Sequence, residues 1–225
     1  RVITNLGNAG SAGAFSALAL AEFSIRHQFP DAAISESQGL KIPPGKGRRD
    51  LRDHPLVTID GADARDFDDA VFAEPAENSG WRILVAIADV SHYVRPDGAL
   101  DQEARKRGNS VYLPDRVVPM LPEAISNDLC SLRPHEDRAV MVAEIQIDKN
   151  GKRQSHQIER ALIRSHARLT YDQVQAVFDG VMDEADCEVS HGCLHALFGA
   201  WRALDQDRQD REPLALNLKE RRVVM

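Results

Sequence analysis

Thr58 to Val71 reads TIDGADARDFDDAV, and the reading of the whole chain turns on it. It holds Asp60, Asp63, Asp66, Asp68 and Asp69, five carboxylates in ten residues. Crowding like charges costs Coulomb energy that grows with burial. Solvent, basic partners, protonation or a divalent cation can offset that cost. An acidic surface loop is the plainest account. Two details weigh against it. Phe67, Ala70, Val71 and Phe72 are apolar and adjacent, which anchors the segment in a core. A solvated loop also gains nothing from such density. In an extended strand Asp66 and Asp68 share a face and Asp69 points the other way. The acids meet at one centre only if the chain bends between Asp60 and Asp69, and Gly61 permits a bend. An all-oxygen donor set suits Mg²⁺ or Mn²⁺ rather than zinc, because no His or Cys lies nearby. The spacing does not fit a helix–loop–helix calcium loop. Two hard ions about 3.5–4 Å apart on a carboxylate cluster make a phosphodiester-cleaving arrangement.

Outward from this segment the texture alternates. Leu56–Ile59 reads as a short strand. Ile83–Ala88 is a continuous apolar run, as expected of a strand covered on both faces. Val140–Ile147 and Ile158–Ile163 read as strands joined through Asn150-Gly151, a hairpin signal. Leu100–Arg107 reads as a helix with acids early and bases late, matching the helix dipole. Thr170 is a candidate N-cap with Gln173 three residues on, and Gly180 is the stop. A second helix is expected from His191 to Arg208, with Leu194, Leu197, Phe198, Trp201 and Leu204 at 3-and-4 spacing. Near the start, Ala14–His27 reads as a helix ended by Pro30, and Gln38–Arg49 as a linker rich in Pro, Gly and positive charge. The sum is an α+β fold, a mixed sheet with packed helices, rather than a regular βαβ alternation.

With 225 residues, the length prior of about 150 per domain gives one large domain or one plus a fragment. Apolar residues are 43% and charged residues 28%, which excludes a disordered or collagenous chain. No run of 18 apolar residues exists, so no membrane span is expected. The chain begins with Arg1 and shows no secretion signal, so it is expected to be a piece of a longer product. Cys130, Cys187 and Cys193 have no paired-motif spacing, which favours a reducing, cytoplasmic setting and inert thiols. The net charge of −7 argues against a simple phosphate-gripping module, but not against an enzyme that meets phosphates through carboxylate-held ions.

DLRDHPLVTIDGADARDFDDAV (Asp50–Val71) resembles the signature of the ribonuclease II/ribonuclease R family of exoribonucleases, nearer to its ribonuclease R branch. VAIADVSHYV (Val85–Val94), SVYLPDRVVPMLPEAISNDLCSL (Ser110–Leu132) and SHARLTY (Ser165–Tyr171) follow in the family's order. The resemblance is strong over Asp50–Gly180 and weak at both ends. It implies residues 1–49 as the tail of a preceding cold-shock module with a helix and linker. Residues 50–225 become the N-terminal part of an RNB catalytic domain, truncated before its arginine-containing segment and its C-terminal OB module. It further implies Mg²⁺-dependent hydrolysis of single-stranded RNA from the 3′ end to nucleoside 5′-monophosphates, by a cytoplasmic monomer.

By position in the motif, Asp60, Asp66, Asp68 and Asp69 fall on the family's four active-site aspartates. Asp60 and Asp69 match metal ligands most directly, and Asp68 matches the residue most tied to chemistry. Asp63 is read as a solvated neighbouring acid. Tyr112 matches an aromatic that stacks on the RNA near its 3′ end, although spacing alone would place it in a core. Stacking is worth about 1–3 kcal/mol per base and tolerates any base. Tyr171 matches a tyrosine beside the scissile end; on residues alone it is the first residue of a helix. Arg65 and Arg168 are expected as phosphate or carboxylate partners, Arg168 towards RNA and Arg65 bridging the aspartates. His92, His135 and His166 are read as structural or surface groups. At the other end Glu212 and Pro213 stand where the family often has Gly, and Leu216 where some members place a second stacking aromatic. The alternative is a truncated or degenerate paralogue that binds RNA or protein without cutting.

Overall fold

Apolar runs in the middle of the chain build a sheet, and the sheet positions everything else. The computed structural model describes residues 5–8, 13–189 and 192–214. In chain order the elements are α1 (Ala14–Glu22), α2 (Asp31–Gln38), β1 (Arg49–Asp50), β2 (Val57–Asp60), β3 (Asp69–Pro75), β4 (Trp81–Ala88), α3 (Val90–Tyr93), α4 (Ala99–Arg107), β5 (Val111–Tyr112), β6 (Val117–Val118), β7 (Asp137–Ile147), β8 (Arg153–Arg164), β9 (Ala167–Thr170), α5 (Tyr171–Phe178) and α6 (Cys193–Gln209). The α+β class is as expected. The described residues fall into two compact units, Lys41–His92 with Asn127 onward, and the residues up to Leu40 with Tyr93–Ser126. The linear division at residue 49 describes chain order rather than these units.

The first unit holds a seven-stranded mixed sheet in the order β1-β8-β7-β4-β3-β2-β9. Its centre, β3-β4-β7-β8, is antiparallel, and each edge pair is parallel: β1 on β8 and β2 on β9. The continuous apolar run is β4, which lies between β3 and β7 with Leu84 and Ala86 fully buried, but Ile87 on its other face is 46% exposed, so the strand is covered throughout on one face and not on both. The β7–β8 hairpin turns where Asn150-Gly151 marked it. Asp148 Oδ1 accepts from the backbone N–H groups of Asn150 (2.8 Å) and Lys152 (3.0 Å). Gly151 has φ +79°, and a Cβ there would stand 2.0 Å from the Ala203 carbonyl oxygen, so the turn requires glycine twice over.

Helices α5 and α6 lie against the sheet through two apolar clusters. Val57, Leu169, Val177 and Leu194 belong to one, and Ala73, Ile83, Ile147 and Ala200 to the other. The α5 cap is the expected capping box: Thr170 Oγ1 accepts from Gln173 N–H and Gln173 Oε1 accepts from Thr170 N–H. His191, the expected start of the last helix, lies outside the described residues. In the helix that is described, Trp201 and Leu204 remain exposed, so only part of its apolar stripe is buried. Its N-terminus is held by buried Glu184, which accepts from the N–H groups of Gly192 (2.6 Å) and His195 (2.8 Å).

In the second unit the sequence reading needs correction. The helix expected over Ala14–His27 stops at Glu22. Ser24 takes φ +53°, Ile25 N–H reaches back to Leu20 O, and Ser24 N–H to Ala21 O, a Schellman ending with serine in the usual glycine place. Pro30 does not end that helix; it is the N-cap of α2, with its carbonyl accepting from Ala33 and Ile34. Buried Glu103 of α4 takes both Arg26 (2.8 Å) and Arg107 (3.0 Å), and Arg107 stacks 3.7 Å from the Phe29 ring centroid. Of the weakly matching ends, residues 1–4 and Leu216 lie outside the described residues. Among the described residues no helix is long and apolar enough to cross a membrane.

Candidate active site

The acidic segment is the connection between β2 and β3. Val57 pairs with Val71, so Asp60, which ends β2, and Asp69, which begins β3, emerge at the same end of the sheet. Between them the chain bends, as the acids required. Ala64 N–H closes a turn on Gly61 O at 3.1 Å. The bend does not use left-handed backbone at Gly61, which is absent from the positive-φ residues. What the glycine supplies is room: a Cβ there would stand 3.2 Å from Asp63 Oδ1.

The irregular stretch is pinned by its backbone. Ser131 Oγ accepts from Phe67 N–H (3.2 Å) and donates to Arg65 O (3.0 Å). Leu132 N–H donates to Phe67 O (2.8 Å), and Ala88 N–H to Asp68 O (2.9 Å). Arg168, on the neighbouring β9, donates through Nη2 to Gly61 O (3.2 Å) and Ala62 O (2.8 Å), with its guanidinium 5.1 Å from the Phe67 ring centroid. Arg168, expected to face RNA, thus reaches the acidic loop through Nη2, while its buried Nε has no hydrogen-bond partner. Arg65 is exposed, and its described hydrogen bond is made by its backbone carbonyl. The cation whose field reaches Asp60 is Arg168.

The carboxylates act on one another. Burial, then the charges of Asp69 and Asp66, raise the Asp60 carboxyl above its ordinary range, partly offset by Arg168. Asp68 is raised by burial and then by Asp66, Asp69 and Asp60. All four family aspartates therefore lie in one field at one end of the sheet. Asp63, exposed, has no part in either shift. Asp60 Oδ2 is buried without a hydrogen-bond partner. Four oxygen-donor side chains, one with an orphaned buried oxygen, fit a hard divalent cation in kind. Among the described residues, however, no three His, Cys, Asp or Glu side chains are grouped so as to hold one ion.

Tyr171 joins this end of the sheet. Thr170 is the register partner of Asp60, and Tyr171 follows it as the first residue of α5. Its ring is 62% exposed and borders an open apolar groove of about 560 Å³ with Ile59, Val85, Phe178 and Trp201. Tyr112 belongs to the other unit, where it ends β5 and is 67% exposed rather than core. His135 and His166 meet edge to face at 6.2 Å, outside the acidic segment. Burial pushes the Cys130 thiol up to about 12 and the Cys193 thiol up to about 11, so both stay protonated and unreactive near neutrality. Sequence reasoning did not single out Ser131. A serine between Cys130 and Leu132 in an apolar context was its one available signal.

The fold agrees with comparison to known proteins. A family model described as the RNB domain matches residues 48–225. The chain belongs to the RNB domain family. Within it the chain is similar to Ribonuclease R of Vibrio parahaemolyticus, 45% identical over the whole chain and 27% of that protein. It is also similar to Ribonuclease R of Acidithiobacillus ferrooxidans, 51% identical over 80% of the chain and 42% of that protein. The chain thus spans less than half the length of these relatives. Among solved structures, Mycoplasma genitalium RNase R in complex with ribose methylated single-stranded RNA matches with a TM-score of 0.84 at 31% identity, covering 92% of this chain and 32% of that one.

Proposed function

We propose that this chain carries the acidic half of a 3′-to-5′ exoribonuclease that hydrolyses single-stranded RNA to nucleoside 5′-monophosphates. What supports this most is the field shared by Asp60, Asp66, Asp68 and Asp69 where β2 and β3 meet the acidic loop. In this reading Asp60, Asp66, Asp68 and Asp69 would hold Mg²⁺, with Mn²⁺ as a substitute, and the bound metal would supply positive charge to the oxygens of the phosphodiester.

The chain's own residues do the positioning. Asp60 and Asp69 stand on strand ends and give the site its rigid side. Asp66 and Asp68 stand on the pinned loop, with Asp68 closest to the chemistry. Tyr171, on the first turn of α5, orients the terminal nucleotide, and Tyr112 supplies a stacking face that is indifferent to the base. Arg168 holds the loop through its carbonyls and tempers the charge on Asp60. The protein acts as a cytoplasmic monomer.

The test is digestion of 5′-labelled single-stranded RNA with Mg²⁺ by the full-length protein. Wild type is expected to shorten the RNA stepwise and release nucleoside 5′-monophosphates, and chelation to stop it. Asp68→Asn should bind RNA and leave it intact. Equal digestion by both proteins overturns the assignment of Asp68. RNA binding without product from wild type favours a binding paralogue.

A further inference from the structure

We propose that Ser131 is a positioning residue for the acidic loop, an inference that rests on the nuclease reading of that loop. Its side chain is fully buried, and one hydroxyl makes two bonds that bracket Asp66: it donates to Arg65 O at 3.0 Å and accepts from Phe67 N–H at 3.2 Å. The next residue, Leu132, holds Phe67 O at 2.8 Å. A loop without internal strand or helix bonds takes its shape from such outside partners.

The clamp is itself anchored. Arg138 on β7 is 2% exposed and donates through Nε to Ser131 O (2.7 Å) and Asp128 O (3.2 Å). Its Nη1 reaches Asp137 O (2.9 Å) and its Nη2 Glu136 Oε2 (2.6 Å). Each nitrogen of this buried guanidinium has an acceptor, which holds it in place, so Ser131 transmits the position of the sheet to the loop. From β7 the path runs through Arg138 and Ser131 to Arg65 and Phe67, and so to Asp66 and Asp68. Ser131 and Arg138 are themselves buried and act on the loop through its backbone.

Removing the hydroxyl strands Phe67 N–H away from water and takes the Ser131 donor from Arg65 O. Groups so stranded move to find partners. The loop then shifts while the strands stay, which separates Asp66 and Asp68 from Asp60 and Asp69. A small misplacement of reacting groups lowers the rate of the chemical step more than it weakens binding of RNA held elsewhere.

The experiment compares wild type, Ser131→Ala and Ser131→Cys in the full-length protein. Cysteine fills the site with a slightly larger side chain and replaces the hydroxyl by a weak hydrogen-bonding group. For Ser131→Ala, kcat on single-stranded RNA is expected to fall about 10- to 100-fold with KM within about twofold. Backbone amide exchange should quicken over residues 65–68 and not over β4 or β7. Ser131→Cys should fall between, and it carries the test if the alanine variant does not fold. A folded variant with wild-type kcat overturns the proposal. So does exchange that rises equally across the sheet, the mark of a merely structural loss. Asp68→Asn runs beside them. If it digests RNA as wild type does, the assignment of Asp68 fails; if wild type itself leaves RNA intact, the nuclease reading fails, and in either case local exchange still decides whether Ser131 holds the loop.

Discussion

Asp60 and Thr170 are register partners across the parallel β2–β9 pair. One is the last residue of its strand, and the other is the N-cap of α5. The pairing puts a helix start, and Tyr171 with it, beside the acidic loop. Thr170→Ala removes the side-chain acceptor for Gln173 N–H and is expected to cost about 1 kcal/mol. It should also lower RNA digestion, because Tyr171 loses its fixed origin. Thr170→Ser should retain both. Urea unfolding midpoints and initial digestion rates check the two effects.

Glu144 gives the fold a defined acid limit. Hydrogen bonds from Arg82, and then Arg49, hold its carboxyl well below its ordinary 4.5, at about 2. The contacts are 2.8 Å to Arg82 Nε and 2.8 Å to Arg49 Nη1. A carboxyl depressed in the folded state adds stability above its unfolded pKa and loses it as pH falls towards the folded value. With partial exposure discounted, the contribution is of order 1–3 kcal/mol. Urea unfolding followed from pH 5 to pH 2 should therefore show a steep loss in wild type. Glu144→Gln should start lower and show a shallower loss.

Arg48 and Asp89 form a buried ion pair, with side chains 5% and 0% exposed and 2.6 Å between Nη2 and Oδ2. Burial opposes charge on Asp89, yet hydrogen bonds from Ser91 and Arg48 hold its carboxyl below the ordinary range. Arg48→Ala leaves that charge with Ser91 and a more distant Arg160 at 3.4 Å. The expected cost is about 3 kcal/mol, the scale for breaking one side of a buried pair. Denaturant titration of Arg48→Ala beside Asp89→Asn checks it, with the single asparagine variant expected to lose less because it strands no carboxylate.

Much of this was legible in the residues. The apolar run at Ile83–Ala88, the Asn150-Gly151 turn and the Thr170–Gln173 cap each carry a local physical reason, and each stands where expected. So does the bend in the acidic segment, which the acids needed if they were to face one centre. Other features lie in pairings between distant residues. Strands β1 and β9 have two and four residues, too few to show a period, and exist because β8 and β2 offer them partners. The first helix ends on a left-handed serine that no composition rule marks. The partners of Arg168 are backbone carbonyls more than a hundred positions away, whereas a sequence shows side-chain types and suggested phosphate.

The strand order also implies a sequence of events. β7 and β8 meet through a tight hairpin, whereas β2 must find β9 across more than a hundred residues. Pairings between distant positions form late, after local ones have nucleated. The acidic end is therefore expected to close last, forcing negative groups together onto a framework already committed. Neutralising Asp68 should then slow unfolding and leave the refolding rate nearly unchanged, as stopped-flow kinetics can show. Assembly of the acidic end is then the last event of folding and the first to be undone.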